Sequence, residues 1–180
     1  MKSGITYQKA LTDDELYQIL KLQKTNIISS ITEEEKQKEG FVTVQHSFGI
    51  LKAMNNKCAH SIATHESKVI GYALSMTDDF KEEIEVLKPM FEEIDNSLEG
   101  DTSYIVMGQI CIHKAYRGQG VFRGLYNFMR QELKEKFDAI ITEVDIKNQR
   151  SLNAHKAVGF GLLKKYAFNN QDWELIIWEI

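Results

Sequence analysis

The stretch Tyr104-Ile105-Val106-Met107-Gly108-Gln109-Ile110-Cys111-Ile112, followed by Tyr116-Arg117-Gly118-Gln119-Gly120-Val121-Phe122-Arg123-Gly124-Leu125 and running on to Phe137, decides the fold. An apolar strand-like run enters a turn with two glycines and passes directly into an amphipathic pattern. Gly118 and Gly120 let the backbone reach positive φ and lie close to a ligand, and the N–H groups of Gln119 to Arg123 then point outward together. The positive end of a helix dipole adds to those amides, and Arg117 and Arg123 supply charge-assisted donors. Together they describe a site for a diphosphate.

Beyond the turn, Val121, Phe122, Leu125, Phe128, Met129, Leu133 and Phe137 recur every three or four residues and mark one buried helical face over Val121 to Lys136. Gly124 inside that helix costs about 1 kcal/mol relative to alanine. It reads either as a tolerated glycine or as a point where another backbone or a ligand comes close. No G-x-x-x-x-G-K-[ST] occurs, and the Gly118/Gly120 pair lacks the third glycine and the early βαβ setting of a dinucleotide fold, which disfavours phosphoryl transfer and nucleotide redox chemistry.

A second signal spans Ala139 to Phe160: a strand, an Asn/Ser-rich helix start, a short helix over Ser151 to Val158, and a Gly159 stop before Phe160. On these two motifs the chain resembles the GNAT N-acetyltransferase superfamily, which transfers an acyl group from acyl-coenzyme A to an amine. The family's pyrophosphate turn, [RQ]-x-x-G-x-[GA], corresponds to Arg117-Gly118-Gln119-Gly120-Val121-Phe122, with Phe122 departing at the last position. Its second motif, N-x-x-[AS]-x-x-x-[YH]-x-x-x-G-F, is matched by Asn148, Ser151, His155, Gly159 and Phe160.

The resemblance implies an α/β acyltransferase fold, with a central mixed, mostly antiparallel sheet, splayed parallel central strands and helices on both faces. Its two parallel strands would be Tyr104 to Ile112 and Ala139 to Ile146. It implies acetyl-coenzyme A as co-substrate, no metal, and cofactor contacts from the backbone of Ile110, Cys111 and Ile112, from Arg117, Gly118, Gln119, Gly120, Val121, Phe122 and Arg123, and from Asn148 and Ser151. His155 stands where the family often has a tyrosine that protonates the departing thiolate. As an imidazole it is expected to titrate near the working pH, or else to pack beside the cofactor without moving protons.

Several family members carry a carboxylate on the strand before the turn, but Tyr104 to Ile112 has none. Glu143 and Asp145 are candidates for a general base, because alternate residues of a strand share one face, while a water relay would need neither. That face looks either into an acceptor cleft or onto solvent. The reaction implied is N-acetylation of a primary amine on a small molecule or peptide, by direct attack in a ternary complex. Two readings compete with it: a catalytically silent coenzyme A-binding sensor, and a scaffold protein that uses its acidic segment to bind partners.

The rest of the chain sets bounds. Its 180 residues, with no Pro-, Gly- or Ser-rich linker, suit one domain. The net charge of -4 and pI near 5.8 disfavour a nucleic-acid surface. With only Cys58 and Cys111, no secretion signal and no long apolar run, a cytoplasmic protein that does not enter membranes is expected. Cys111 reads as a buried, inert thiol. Cys58, His60 and His65 cluster, but on a strand over Ala59 to Thr64 the two histidines point to opposite faces, and His46 and His113 add no chelating spacing.

Strands are also expected near Ile5 to Lys9, at Val69 to Met76 in a hairpin around Glu66-Ser67-Lys68, and at Phe160 to Phe168 and Trp173 to Ile180. A capping box at Thr12-Asp13-Asp14-Glu15 opens a helix to about Thr25, and Ser47 to Asn55 reads as another. Ser30 to Gly40 is charged and either loop or helix, and Gly40 to Phe48 is the candidate acceptor wall. The acidic segment from Thr77 to Asp101 carries Phe80, Ile84, Leu87, Met90, Phe91 and Ile94 at helical spacing, with Pro89 limiting the helix. It packs on the domain, caps the acceptor site, or joins a second subunit as a homodimer.

Overall fold

The computed structural model describes residues 4–27 and 44–180, so the expectations for Ser30 to Gly40 and for the first part of the acceptor wall, residues 40–43, lie outside the described residues. The elements, in chain order, are β1 (Thr6–Lys9), α1 (Asp13–Lys24), α2 (Phe48–Lys57), β2 (Ser61–His65), β3 (Lys68–Met76), α3 (Lys88–Asp95), β4 (Tyr104–Ile112), α4 (Val121–Leu133), β5 (Ala139–Asp145), α5 (Gln149–Val158), β6 (Gly161–Phe168) and β7 (Gln171–Glu179). The strands form one seven-stranded sheet in the order β1-β2-β3-β4-β5-β7-β6. Every neighbouring pair is antiparallel except β4 and β5.

Period-two alternation sorts the sheet into two packed faces. Tyr72, Leu74, Val106, Ile141 and Leu175 pack with Leu16 and Ile19 of α1, Leu51 and Met54 of α2, and Met90, Phe91 and Ile94 of α3. Their sequence neighbours Ala73, Ile105, Met107, Ile140 and Ile176 pack on the other face with Tyr126, Met129 and Leu133 of α4 and Leu152 of α5. Helices therefore cover both faces. None of the helices among the described residues is long and apolar enough to cross a membrane.

Local chemistry explains the ends of the elements. Thr12 accepts from the Glu15 N–H while the Glu15 carboxylate accepts from the Thr12 N–H at 2.9 Å, closing the capping box. Ser47 caps α2 through the Ile50 N–H. The β2–β3 turn contains only Glu66 and Ser67, both at positive φ, and Lys68 already belongs to the strand. α4 ends at Leu133, three residues short of the sequence expectation.

The acidic segment folds as two short 3-10 turns, Asp78–Phe80 and Glu85–Leu87, followed by α3 with Pro89 in its first turn, where the missing N–H costs nothing. Its apolar stripe is buried in the sheet's α1 face.

Gly124 explains itself through packing. A Cβ there would run into the ring of Tyr7 on the edge strand β1. The close approach is thus made by a side chain, not by another backbone or a ligand.

Candidate active site

The site begins where β4 and β5 separate. They pair only at Tyr104↔Ala139, Ile105↔Ile140 and Val106↔Ile141, although both strands run on. A register shift between Leu74 and Ser75 sets Gly108 as an extra residue in β4, and such a bulge bends the strand. The remainder of β4 stays with β3, and the backbone of Ile110 to Ile112 is left facing a gap.

That gap opens into a cavity of about 340 Å³ lined by the end of β4, the glycine turn, the start of α4 and one face of α5. Gly118 and Gly120 lie at φ 70 and 83, and a Cβ built on either meets no atom within 4 Å. The turn is therefore an open cradle. Gly120 is the N-cap of α4 and provides no side chain to cap it, so the first-turn amides keep their donors for a ligand.

Ile110, Cys111, Ile112, Arg117, Gly118, Gly120, Val121, Phe122, Arg123, Asn148 and Ser151 all line this cavity. Gln119 does not: its side-chain amide turns back to the Ala115 carbonyl at 2.9 Å. The arginines also brace the protein. Arg117 donates through Nε to the Ile112 carbonyl at 3.0 Å and through its terminal nitrogen to Asn26 Oδ1 at 2.6 Å. Arg123 donates to the Ala157 carbonyl at 2.9 Å, tying α4 to α5. Phe122, the departure from the family's turn, packs edge-on against Tyr126 and His155. Burial pushes the Cys111 thiol up to about 12, which makes it inert near neutrality.

Sequence reasoning missed two polar residues of this wall. Arg150 lies in the second motif at a position that the pattern leaves free, and its placement one helical turn before Ala154 would have put it on the same face. Asn26, just beyond α1, carries no local signal. It reaches the cavity because its side-chain amide is anchored on the Leu22 carbonyl at 2.8 Å.

A second, smaller cavity of about 80 Å³ adjoins the first, sharing Ile110, Asn148 and Ser151. Glu143 and Asp145 line it, so the carboxylate face of β5 looks into a cleft. Asp145 is buried and already accepts from the Lys147 N–H at 2.8 Å and from the Gln171 amide at 3.2 Å. Glu143 accepts from the Tyr166 hydroxyl. Burial pushes the Glu143 carboxyl up to about 7, partly offset by that hydrogen bond.

His155 lines the same cavity but is 1% exposed. Its Nδ1–H donates to the Ser151 carbonyl at 2.8 Å, and its Nε2 accepts from the Tyr126 hydroxyl at 2.7 Å. The expectation of a ring titrating near neutrality is corrected here. Burial holds its pKa down at about 4, only partly countered by the Ser151 bond.

Among the described residues of the candidate acceptor wall, Val44 lines this cavity. Phe48 instead stacks on Tyr17 with ring centroids 4.4 Å apart. Val44 is fixed by a buried polar network: its carbonyl accepts from Gln109 Nε2 at 2.8 Å, Gln109 Oε1 accepts from Gln23 and Tyr72, and Gln23 also bonds His46 through both ends of its amide. Among the described residues no group of three or more potential ligands is placed to hold a metal ion.

A model of the acetyltransferase (GNAT) family matches residues 14–160. The chain belongs to the GNAT family. Its fold is also that of solved acetyltransferases. The GNAT chain matches a structure of the NatC complex bound to Gag peptide and coenzyme A at 18% identity, over 98% of this chain and 99% of that one, with a TM-score of 0.66. It matches the ribosomal-protein-S18-alanine N-acetyltransferase of Escherichia coli at 14% identity, over 98% and 94%, with a TM-score of 0.65. It matches Arabidopsis thaliana Naa50, in complex with a bisubstrate analogue of coenzyme A and the peptide MVNAL, at 13% identity, over 98% and 99%, with a TM-score of 0.65. No curated protein matches the GNAT chain by sequence. At these identities the structural likeness speaks to the fold.

Proposed function

We propose that the protein, as one domain with 77–101 as an insertion, transfers an acetyl group from acetyl-coenzyme A to a primary amine, by direct attack in a ternary complex. One observation carries the reading: the open glycine cradle and the β4–β5 gap lead, through Ile110, Asn148 and Ser151, to a cavity that holds a carboxyl group poised near neutrality. The cavity chemistry fits the co-substrate. The cradle and the start of α4 hold its pyrophosphate, the backbone of Ile110 to Ile112 holds its arm, and Asn148 and Ser151 stand at the seam. When bound, it supplies an activated acetyl thioester.

The protein's own groups do the rest. An alkyl amine arrives mostly as ammonium, and attack requires its lone pair. Glu143, near half ionised at neutral pH, takes that proton. The C–N bond then forms as the C–S bond breaks, the electron pair leaves with the thiolate, and one of the nitrogen's two remaining protons passes through solvent to that thiolate, giving the amide and the free thiol. His155, neutral and with both nitrogens engaged, serves by fixing Ser151 and Tyr126. Positioning of the two substrates supplies much of the rate.

A peptide or protein amine is the acceptor class we favour. The relatives of the same fold include one bound to a Gag peptide, one in complex with an analogue carrying MVNAL, and one that is a ribosomal-protein-S18-alanine N-acetyltransferase. The test is release of free thiol from acetyl-coenzyme A over a panel of free-N-terminal peptides, Met-Val-Asn-Ala-Leu among them, polyamines and amino acids. Turnover is expected with at least one peptide. Thermal stabilisation by coenzyme A with no acetylation of any amine would replace this reading with the silent sensor.

A further inference from the structure

Glu143 is met from two strands away. β6 is separated from β5 by β7, a span of about 9–10 Å at the usual strand spacing. Tyr166 stands opposite Trp173, and Trp173 stands opposite Asp145, so Tyr166 lies along the row of same-face residues, two pairs beyond Glu143. Only a long side chain on each edge bridges that distance. A tyrosine hydroxyl meeting a glutamate does so, over Leu175, which is fully buried beneath.

The same row receives the insertion. Lys164, two residues before Tyr166 and on its face, pairs with Glu93 of α3 at 2.5 Å. α3 is itself seated by Met90, Phe91 and Ile94. Glu93 lies close enough to Tyr166 to add, after burial and Glu143, to the forces that keep the phenol protonated.

We propose that Tyr166 is a positioning residue for Glu143, donating its hydroxyl hydrogen to hold the carboxylate at the small cavity, and that α3 steadies Tyr166's strand through the Glu93–Lys164 pair. This rests on Glu143 being the base. The segment 77–101 thereby acts on the reacting end of the site through β6, from the sheet face that Glu143 and Tyr166 share. Among the described residues, the charged and titratable groups around Glu143 are Tyr166 and Lys164 on β6, Glu93 on α3, Asp145 on its own strand and His155 across the cavity.

The experiment follows the Glu143 side chain by carbon NMR of protein labelled with ¹³C at glutamate Cδ, the resonance being assigned by its loss in Glu143→Gln. A donated hydrogen bond favours the ionised form, so Tyr166→Phe is expected to move the Glu143 midpoint up by about 0.5–1 pH unit. Glu93→Gln removes a nearby negative charge and frees Lys164, and is expected to move it down by a few tenths of a unit. Opposite signs are not produced by general loosening. An unmoved midpoint in Tyr166→Phe overturns the clamp, and an unmoved one in Glu93→Gln overturns the part given to α3. Should Tyr166→Phe fail to fold, Glu93→Gln at a half-buried position still tests the part given to α3, and 3-fluorotyrosine placed at position 166, a stronger donor of the same shape, tests the clamp: the Glu143 midpoint is expected to move down, and an unmoved one overturns it. The acid limb of kcat/KM, measured with the most active amine of the panel, separates the two readings: a midpoint that moves while the limb stays leaves the clamp standing and removes Glu143 as base.

Discussion

The two ends of the site are built by opposite means. The end proposed for the cofactor is made largely of contiguous chain and backbone: a strand end, two glycines and a helix start within Ile110 to Arg123, closed by one face of α5 and by Asn26. The end proposed for the acceptor is made of side chains gathered from afar, Val44, Gln109 and Glu143 lining it and Tyr166 and Glu93 standing behind, on five separate pieces of the chain. Main-chain amides recognise what every member of such a family shares, while gathered side chains are free to differ. A thioester carrier can thus stay constant while the amine it serves changes.

Four experiments break or sharpen that contrast. The largest effect is expected for Glu143→Gln, which should lower kcat by about 10²–10⁴ with coenzyme A affinity unchanged in calorimetry. An equal loss of affinity would show that the two ends are not separable. The converse variant, Gly120→Val, forces a β-branched residue into positive φ and places a side chain in the cradle. Coenzyme A binding should weaken by about 10–100-fold, while the Glu143 midpoint measured by NMR stays in place.

Third comes Gly124→Ala, which touches neither end. Its new methyl displaces the Tyr7 ring, and denaturant unfolding should report a loss of about 1–3 kcal/mol. Tyr7→Ala in the same background should recover part of it, because the two groups compete for one space.

The smallest effect is a slope. His46, His60 and His155 are each held down at about 4 by burial, so the unfolded chain binds their protons first as the pH falls below 6.5. Their contribution to stability is present above 6.5 and lost on the way to 4. Glu143 runs the other way. Its folded value of about 7 exceeds the unfolded 4.5, so its protonated form favours the fold below 4.5 and that benefit is lost as the pH rises through 7. Between about 5 and 6, three protons taken up by the unfolded chain are offset by one held in the fold. Stability should therefore rise with pH at a slope near two protons, and Glu143→Gln should steepen it by about one.

The same contrast explains what could be read from the sequence. β4, the glycine turn and α4 are short-range features, and each has a signature in spacing: an apolar run, glycines where φ turns positive, a three-and-four repeat. Tyr104–Ile112 emerged with its expected ends, and Asn148, Ser151 and the cradle lie on one cavity. The capping box did as much for α1. Neither burial nor distance is written locally, however. Nothing in the vicinity of His155 announces that Ser151 and Tyr126 will occupy both its nitrogens, and the identity of Tyr166 gives no hint of a carboxylate two strands away. Alternation along β5 correctly put Glu143 and Asp145 on one side; what that side faces depends on where β4 departs. Arg117 shows the limit most plainly. Charge and motif point it at a phosphate, yet its guanidinium also holds a carbonyl and Asn26, a residue 91 positions earlier.

The three residue pairs between β4 and β5 have a mechanical consequence. On one side of that seam β1 to β4 form a plate, and on the other β5, β7 and β6 form another; β5 and β7 alone are joined by seven pairs. The sheet is two well-paired leaves joined by a short seam at Tyr104 to Val106. Amide exchange will be slow at the buried pairs Ile105–Ile140 and Val106–Ile141 and faster at the amides beyond them that face the gap, where a molecule seated between the leaves will slow it.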